Sequence, residues 1–113
     1  MAIIEVAPKT VAEWLHNGSI LLIDVREPNE FAAERIEGAL LFPLSTFDPV
    51  PLPACGCREV IFHCGTGMRS RKALTLCQAA GLDLHSHMTG GLKAWRAAGL
   101  PTHFARPDIA VAL

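Results

Sequence analysis

The sequence predicts an α/β fold in which a mostly parallel sheet is covered by helices on both faces. The apolar runs "SILLIDV" (19–25) and "EVIFHC" (59–64) lack the strict polar and apolar alternation of strands that face water on one side. Segments with helical spacing alternate with such runs along the chain, as in βαβ units. The length of 113 residues suits one domain, which we place at 1–113.

Four segments have the features of helices. Thr10 and Glu13 form a capping-box pattern at the start of a first helix, and Gly18 is placed to end that helix. Pro28 suits the first turn of a second helix, and Gly81 is placed to end a third. The predicted helical segments are 10–17, 27–36, 69–80 and 91–98.

Two shorter segments have weaker strand features. "GALLFP" (38–43) predicts a short buried strand that ends at a proline, and Leu84, Ser86 and Met88 alternate with two histidines. The segment 45–59 carries three prolines, which favours an irregular surface connection.

Composition limits the functions open to this chain. The formal net charge is −1 and half of the residues are apolar, so the chain has no bulk attraction to nucleic acid or to anionic membranes. The N-terminus has no features of a secretory signal, and runs such as "ILLI" (20–23) are too short to span a bilayer. We therefore expect a cytoplasmic protein whose four cysteines are reduced thiols.

The stretch "HCGTGMRS" (63–70) carries the chemistry. Cys64 ends a predicted strand, at the sheet edge where ligands collect in open parallel sheets. Gly65 and Gly67 allow the backbone to turn its N–H groups inward, and the helix that opens at Arg69 adds unpaired N–H groups. These donors predict an anion cradle that lowers the pKa of the Cys64 thiol and favours its thiolate, the nucleophilic form.

The sequence resembles the single-domain rhodaneses over nearly its whole length. The matching motifs stand in order: "LLIDVREPNEF" (21–31), "RIEGALLFPL" (35–44), "VIFHCGTGMRS" (60–70) and "TGGLKAWRAAGLP" (89–101). The resemblance implies a three-layer rhodanese-like fold, with a five-stranded parallel sheet flanked by helices on both faces. It also implies that Cys64 carries a persulfide and that no metal or organic cofactor is needed.

The resemblance assigns roles to the residues around the cysteine. Cys64 is the predicted sulfur carrier, and the loop that follows it binds the sulfur through backbone donors. The expected substrate-binding residues are Gly65, Thr66, Gly67, Met68 and Arg69. Asp24, Arg26 and Ser70 are expected to be supporting residues, the first two through a salt bridge or hydrogen bonds that hold a loop.

The implied reaction moves a sulfane sulfur in two displacements. Cys64 takes sulfur from thiosulfate or a persulfide, and cyanide or a thiol then removes it. The partners are thus a small donor and acceptor, or a sulfur-accepting protein, with no nucleic acid and no membrane. Gly65 stands where other family members carry a basic residue, which implies weak thiosulfate binding and favours a protein persulfide or small thiol persulfide as donor.

Two other functions remain open. A phosphatase or arsenate reductase on the same scaffold is one, although four residues separate Cys64 from Arg69, one fewer than in the phosphatases that resemble this fold. The shorter loop suits a single sulfur atom better than a tetrahedral oxyanion. A non-catalytic binding module is the other.

The remaining reactive side chains have packing or undecided roles. Cys77 shares a helical face with Leu74, which favours packing. Cys55 and Cys57 are surface-loop residues, a metal-binding pair or resolving thiols, the last with Cys57 attacking the Cys64 persulfide. Strand alternation directs His63 away from Cys64, and the apolar segment 107–113 either covers the core, adds an edge strand or joins a partner.

Overall fold

The computed structural model describes residues 3–49 and 58–104 and contains the predicted five-stranded parallel sheet. Its strands are β1 (Ile4–Val6), β2 (Ile20–Asp24), β4 (Leu40–Leu41), β5 (Glu59–His63) and β6 (Ser86–Met88). They lie side by side in the order β1-β6-β5-β2-β4. β3 (Glu34–Arg35) and β7 (His103–Phe104) form a separate antiparallel pair.

Helices cover both faces of the sheet, as predicted. They are α1 (Pro8–His16), α2 (Pro28–Ala33), α3 (Met68–Ala79) and α4 (Gly91–Ala97). Val11 of α1 and Trp95 of α4 pack on one face of the sheet, in a cluster with Leu22 and Ile61. α3 packs on the other face through three buried residues. These are Ala73, Leu74 and Cys77, which cluster with Ile23, Val60 and Phe62.

Along β2 and β5, successive side chains point to opposite faces of the sheet, and this alternation decides which of them contact α3. Phe62 and Cys64 belong to the α3 face, whereas Ile61 belongs to the face of α1 and α4. Both central strands are almost wholly buried, because helices cover each side.

The first helix begins earlier than the sequence predicts. α1 starts at Pro8 with Ala7 in the N-cap position, and no side chain caps its N-terminus. The prediction that Thr10 caps this helix is therefore wrong. Proline has the φ angle of a helix and needs no N–H partner in the first turn, so Pro8 starts the helix without a capping side chain. Gly18 follows its end, as predicted, with a φ of 78°.

The outer strands differ most from the predictions. The predicted buried strand 38–43 is reduced to β4, a two-residue edge strand in which Leu40 is 42% exposed. β1 and the β3–β7 pair are absent from the sequence predictions, because strands of two or three residues contain too few positions to show alternation. The weakly predicted strand near 84–88 is β6, and all of its residues are buried.

None of the helices in the described ranges is long and apolar enough to cross a membrane. Cys55, Cys57 and the segment 107–113 lie outside the described residues.

Candidate active site

Cys64 lies directly after β5, at the carboxyl edge of the parallel sheet. The residue is only 1% exposed, and its side chain packs in the apolar cluster under α3. Polar groups nevertheless reach its sulfur: the backbone N–H of Gly67 donates to Sγ at 3.1 Å, and Ser70 Oγ lies 3.7 Å away. The sulfur is thus enclosed but hydrogen-bonded.

The hydrogen bonds around the sulfur favour its charged form. Burial alone would raise the pKa of Cys64, but bonds from the backbone and side chain of Ser70 and from the Gly67 and Thr66 amides outweigh it. The net pKa is lowered, in the direction that the sequence predicts. Gly67 directs its N–H to the sulfur by adopting a φ of 108°, a value that a residue with a side chain rarely adopts.

The N-terminal turn of α4 holds the loop in this orientation. Leu92 N–H donates to Cys64 O at 2.8 Å, and Lys93 N–H donates to Gly65 O at 3.0 Å. Gly91 makes the approach feasible, because a Cβ there would lie 2.6 Å from Gly65 C and closer still to Cys64 O. With these carbonyls bonded to α4, the next amides along the loop are free to face the sulfur.

Arg69 is tied to an acidic partner that the sequence predictions omit. Its Nη1 and Nη2 donate to the two carboxylate oxygens of Glu30 at 2.6 and 3.1 Å. These bonds lower the pKa of Glu30 to about 2, against the opposing effect of burial. The guanidinium lies over the loop, since a Cβ on Gly65 would be 3.2 Å from Nη2. Glu30 shares a motif with Pro28 in the sequence, but no local pattern links it to Arg69.

Ser70 connects the sulfur to a buried histidine. Its Oγ lies 2.8 Å from His87 Nδ1 and donates to Gly67 O at 3.1 Å. On the far side of the ring, His87 Nε2 lies 3.0 Å from Glu5 Oε1. Sequence reasoning did not consider Glu5 and did not connect His87 to this site, because β1 is not predicted and the pairing of β1 with β6 joins residues far apart in the chain.

Comparison with known protein families identifies the family of this chain. A family model for the Rhodanese-like domain matches residues 7–98. The chain belongs to the rhodanese-like domain family. The resemblance seen in the sequence is thereby confirmed, and so is the fold that it implies.

Named relatives of this rhodanese-like domain include sulfurtransferases. An uncharacterised protein of Synechocystis is 39% identical over 99 residues, covering 88% of this chain and 55% of the relative. The chain thus spans about half the length of that relative. A thiosulfate sulfurtransferase of Actinobacillus succinogenes is 27% identical over 105 residues, covering 93% of this chain and 95% of the relative.

A solved structure agrees in fold. A rhodanese-related protein of Thermoplasma volcanium superposes with a TM-score of 0.75 at 22% identity, covering 88% of this chain and 97% of that one.

Asp24 and Arg26 of the rhodanese-like domain form a buried ion pair away from the sulfur. Arg26 Nη2 donates to Asp24 Oδ2 at 2.9 Å and to Glu34 O at 2.6 Å. Burial would raise the pKa of Asp24, but the neighbouring His63 and Arg26 lower it to about 2. The salt bridge expected between these residues is therefore present and anchors the backbone after β2, whereas their supporting role at the site stays a prediction.

His63 and Cys77 lie where the sequence predicts. His63 Nε2 is 3.4 Å from Asp24 Oδ2, on the sheet face opposite the Cys64 side chain. Cys77 is a fully buried residue of α3, and burial raises the pKa of its thiol to about 11. The pKa values of the two buried cysteines are thus shifted in opposite directions, because Cys64 has hydrogen-bond donors at its sulfur whereas burial alone acts on Cys77.

Thr66 and Met68, the other predicted binding residues, lie on the outer side of the loop. Met68 is 80% exposed beside the site, and Thr66 and Met68 line a surface pocket with Gly67. Side chains at both positions are therefore available to an incoming molecule.

Proposed function

We propose that this rhodanese-like domain is a sulfurtransferase that carries a sulfane sulfur as a persulfide on Cys64. The observation that supports this most directly is the hydrogen bond from Gly67 N–H to Cys64 Sγ, made at the N-terminus of α3. An amide in that position stabilises a thiolate, and it can bond equally to the terminal sulfur of a persulfide anion.

The first step forms the persulfide. The Cys64 thiolate attacks the outer sulfur of the donor, a new S–S bond forms, and the donor's own bond to that sulfur breaks. The leaving group takes the electron pair, as sulfite from thiosulfate or as a thiolate from a persulfide. The loop amides offset the charge that remains on the outer sulfur.

The second step returns the enzyme to its starting state. A thiolate or cyanide attacks the outer sulfur, the S–S bond to Cys64 breaks, and Cys64 leaves as a thiolate. The same Gly67 amide stabilises the leaving thiolate, so one donor serves both halves of the reaction. Two separate displacements through a covalent intermediate predict ping-pong kinetics.

The charges around the loop favour a thiol persulfide over thiosulfate as the donor. Gly65 has no charged side chain, and the Arg69 guanidinium already donates to Glu30 from its two terminal nitrogens, Nη1 and Nη2. Thiosulfate is a dianion and therefore meets little uncompensated positive charge at this loop. A thiol persulfide carries less negative charge at its sulfur and needs less positive charge from the protein.

The same pairing weakens the case for a phosphatase. A phosphoryl group needs a guanidinium free to bind its equatorial oxygens, and this one is engaged.

Intact-protein mass spectrometry tests the proposal. The wild-type chain is treated with glutathione persulfide, and in parallel with thiosulfate, and is then exposed to cyanide. We expect one added sulfur that cyanide removes, formed more readily with the persulfide. Cys64→Ser should gain none, whereas Cys77→Ala, which removes the other buried thiol, should gain sulfur as the wild type does. A wild type that gains no sulfur from either donor would overturn the proposal.

A further inference from the structure

A row of polar side chains runs from Cys64 through α3 to the edge of the sheet. Ser70 Oγ is 3.7 Å from Cys64 Sγ and 2.8 Å from His87 Nδ1. His87 Nε2 is 3.0 Å from Glu5 Oε1. Four groups that exchange or stabilise protons are thus in consecutive contact.

The sheet register explains why this row forms. Phe62 pairs with His87 across β5 and β6, and His87 pairs with Glu5 across β6 and β1. Register partners in a sheet have side chains on the same face, so His87 and Glu5 both face the side that α3 covers. Buried Ser70, on the first turn of α3, then lies over the histidine.

We propose that Ser70, His87 and Glu5 form a relay that removes the proton from Cys64. The Cys64 S–H bond breaks and its proton passes to Ser70 Oγ, while the Ser70 hydroxyl turns from Gly67 O toward His87 Nδ1 and gives its own proton to that nitrogen. The products are a thiolate, a neutral serine and an imidazolium, and no oxidant or reductant is needed. Glu5 then lies beside the N–H on Nε2 and stabilises the positive ring.

The surroundings of His87 match this role. Its ring is almost fully buried, and Nε2 is too obliquely placed on Glu5 for a good hydrogen bond in the resting state. The charged groups beside the ring are Glu5 of β1 and Arg71 of α3, whose Nη2 donates to Glu5 Oε2 at 2.6 Å, and the Cys64 thiol reaches the ring only through Ser70. Arg71 and His87 thus contact the two oxygens of the same carboxylate.

The relay ends at an opening to solvent. A pocket of about 390 Å³ is lined by Glu5, Arg71, His87 and the outer side of the Thr66–Met68 loop. Cys64 does not line it. A proton taken from the sulfur can therefore reach solvent at Glu5, at the edge of the sheet.

The rate of Cys64 alkylation as a function of pH tests the relay. The relay serves the proposed sulfur transfer by supplying the thiolate, but iodoacetamide reports the thiolate without any sulfur donor. Alkylation is followed at the Cys64 peptide by mass spectrometry, from about pH 5 to 9, a range that spans lowered and ordinary thiol pKa values. The alkylation rate rises with pH as the thiol ionises, and in His87→Gln we expect this rise to occur about one pH unit higher. The rate near neutral pH should then be roughly tenfold lower than in the wild type.

Further variants separate a relay from simple packing. Ser70→Ala should show the same shift, Ser70→Thr should restore the wild-type profile, and the double variant of Ser70→Ala with His87→Gln should lose no more than either alone. His85→Gln, a neighbouring histidine that contacts Asp83 instead, is the matched control and should leave the profile unchanged. Should His87→Gln not fold, Glu5→Gln at the exposed edge should shift the rise in alkylation rate in the same direction by a smaller amount.

Two results would overturn the relay: a wild-type profile in folded His87→Gln or Glu5→Gln, or losses from Ser70→Ala and His87→Gln that multiply. Sulfur uptake by the wild type is measured separately. Uptake with unchanged variant profiles sinks the relay alone, whereas shifted profiles with no uptake sink the proposed function alone.

Discussion

Glu30 of α2 accepts two hydrogen bonds from the guanidinium of Arg69, at 2.6 and 3.1 Å, across 39 positions of the chain. The contact joins the segment after β2 to the loop that surrounds Cys64. Glu30 also accepts a bond from Glu27 N–H at 3.0 Å, so its carboxylate is fixed by its own helix as well. Arg69 is therefore held over the loop with much of its charge compensated.

Glu30→Gln should release that charge toward an anionic donor. We expect the KM for thiosulfate to fall by about threefold, since freeing a partly exposed charge is worth up to about 1 kcal/mol. Steady-state thiosulfate:cyanide kinetics measure it, with Glu13→Gln on α1 as a control carboxylate elsewhere on the surface. An unchanged or higher KM in Glu30→Gln would show that the pair positions Arg69 and does not restrain it.

Gly91→Ala should displace the active loop. Its Cβ would lie 2.6 Å from Gly65 C, so the loop or α4 has to move, and we expect a cost of about 1–3 kcal/mol in unfolding free energy with at least about tenfold slower sulfur uptake. Gly99→Ala is the matched control, because Gly99 also has a positive φ, 77°, but open space around it. It should lose some stability and keep its uptake rate. Equal uptake by both variants would contradict the role given to α4.

Leu74 and Leu76 of α3 test the packing of the helix that carries Ser70. Leu74 is fully buried against β5, whereas Leu76 is 41% exposed. Urea unfolding should show a loss of about 2–5 kcal/mol for Leu74→Ala. Leu76→Ala should change stability by less than about 0.5 kcal/mol. Similar losses in the two variants would mean that α3 is packed differently.

The interior of the fold was predictable from the sequence, because its signals are local. Enough consecutive residues are present in β2, β5 and α3 to show burial or helical spacing. The glycines at 65 and 67 mark the loop between β5 and α3. The resemblance of the motifs then supplied the number and the parallel direction of the strands, whereas their order in the sheet was not predicted.

The missing parts of the site depend on contacts between distant segments. Glu5 and His87 become neighbours only through the register of β1 on β6, and β1 has three residues. Glu30 meets Arg69 only when α2 and α3 are both in place. An acidic residue in a polar segment of the sequence looks the same whether or not the fold gives it a basic partner. No local pattern in the sequence therefore predicts these two pairs.

Asp24→Asn tests the buried ion pair through its pH dependence. The pKa of Asp24 is about 2 in the folded protein against an ordinary 3.8, so its ionised form contributes stability above about pH 4 that is lost as the pH falls toward 2. The replacement leaves Arg26 buried without its counterion, and we expect a loss of about 3–5 kcal/mol in unfolding free energy at neutral pH. That difference from the wild type should narrow by roughly 2 kcal/mol between pH 4 and 2. Urea unfolding across this range measures it, with Asp83→Asn, whose side chain is 92% exposed, as the control. A difference that stays constant with pH would mean that the charge of Asp24 does not contribute, and that only the shape of its side chain does.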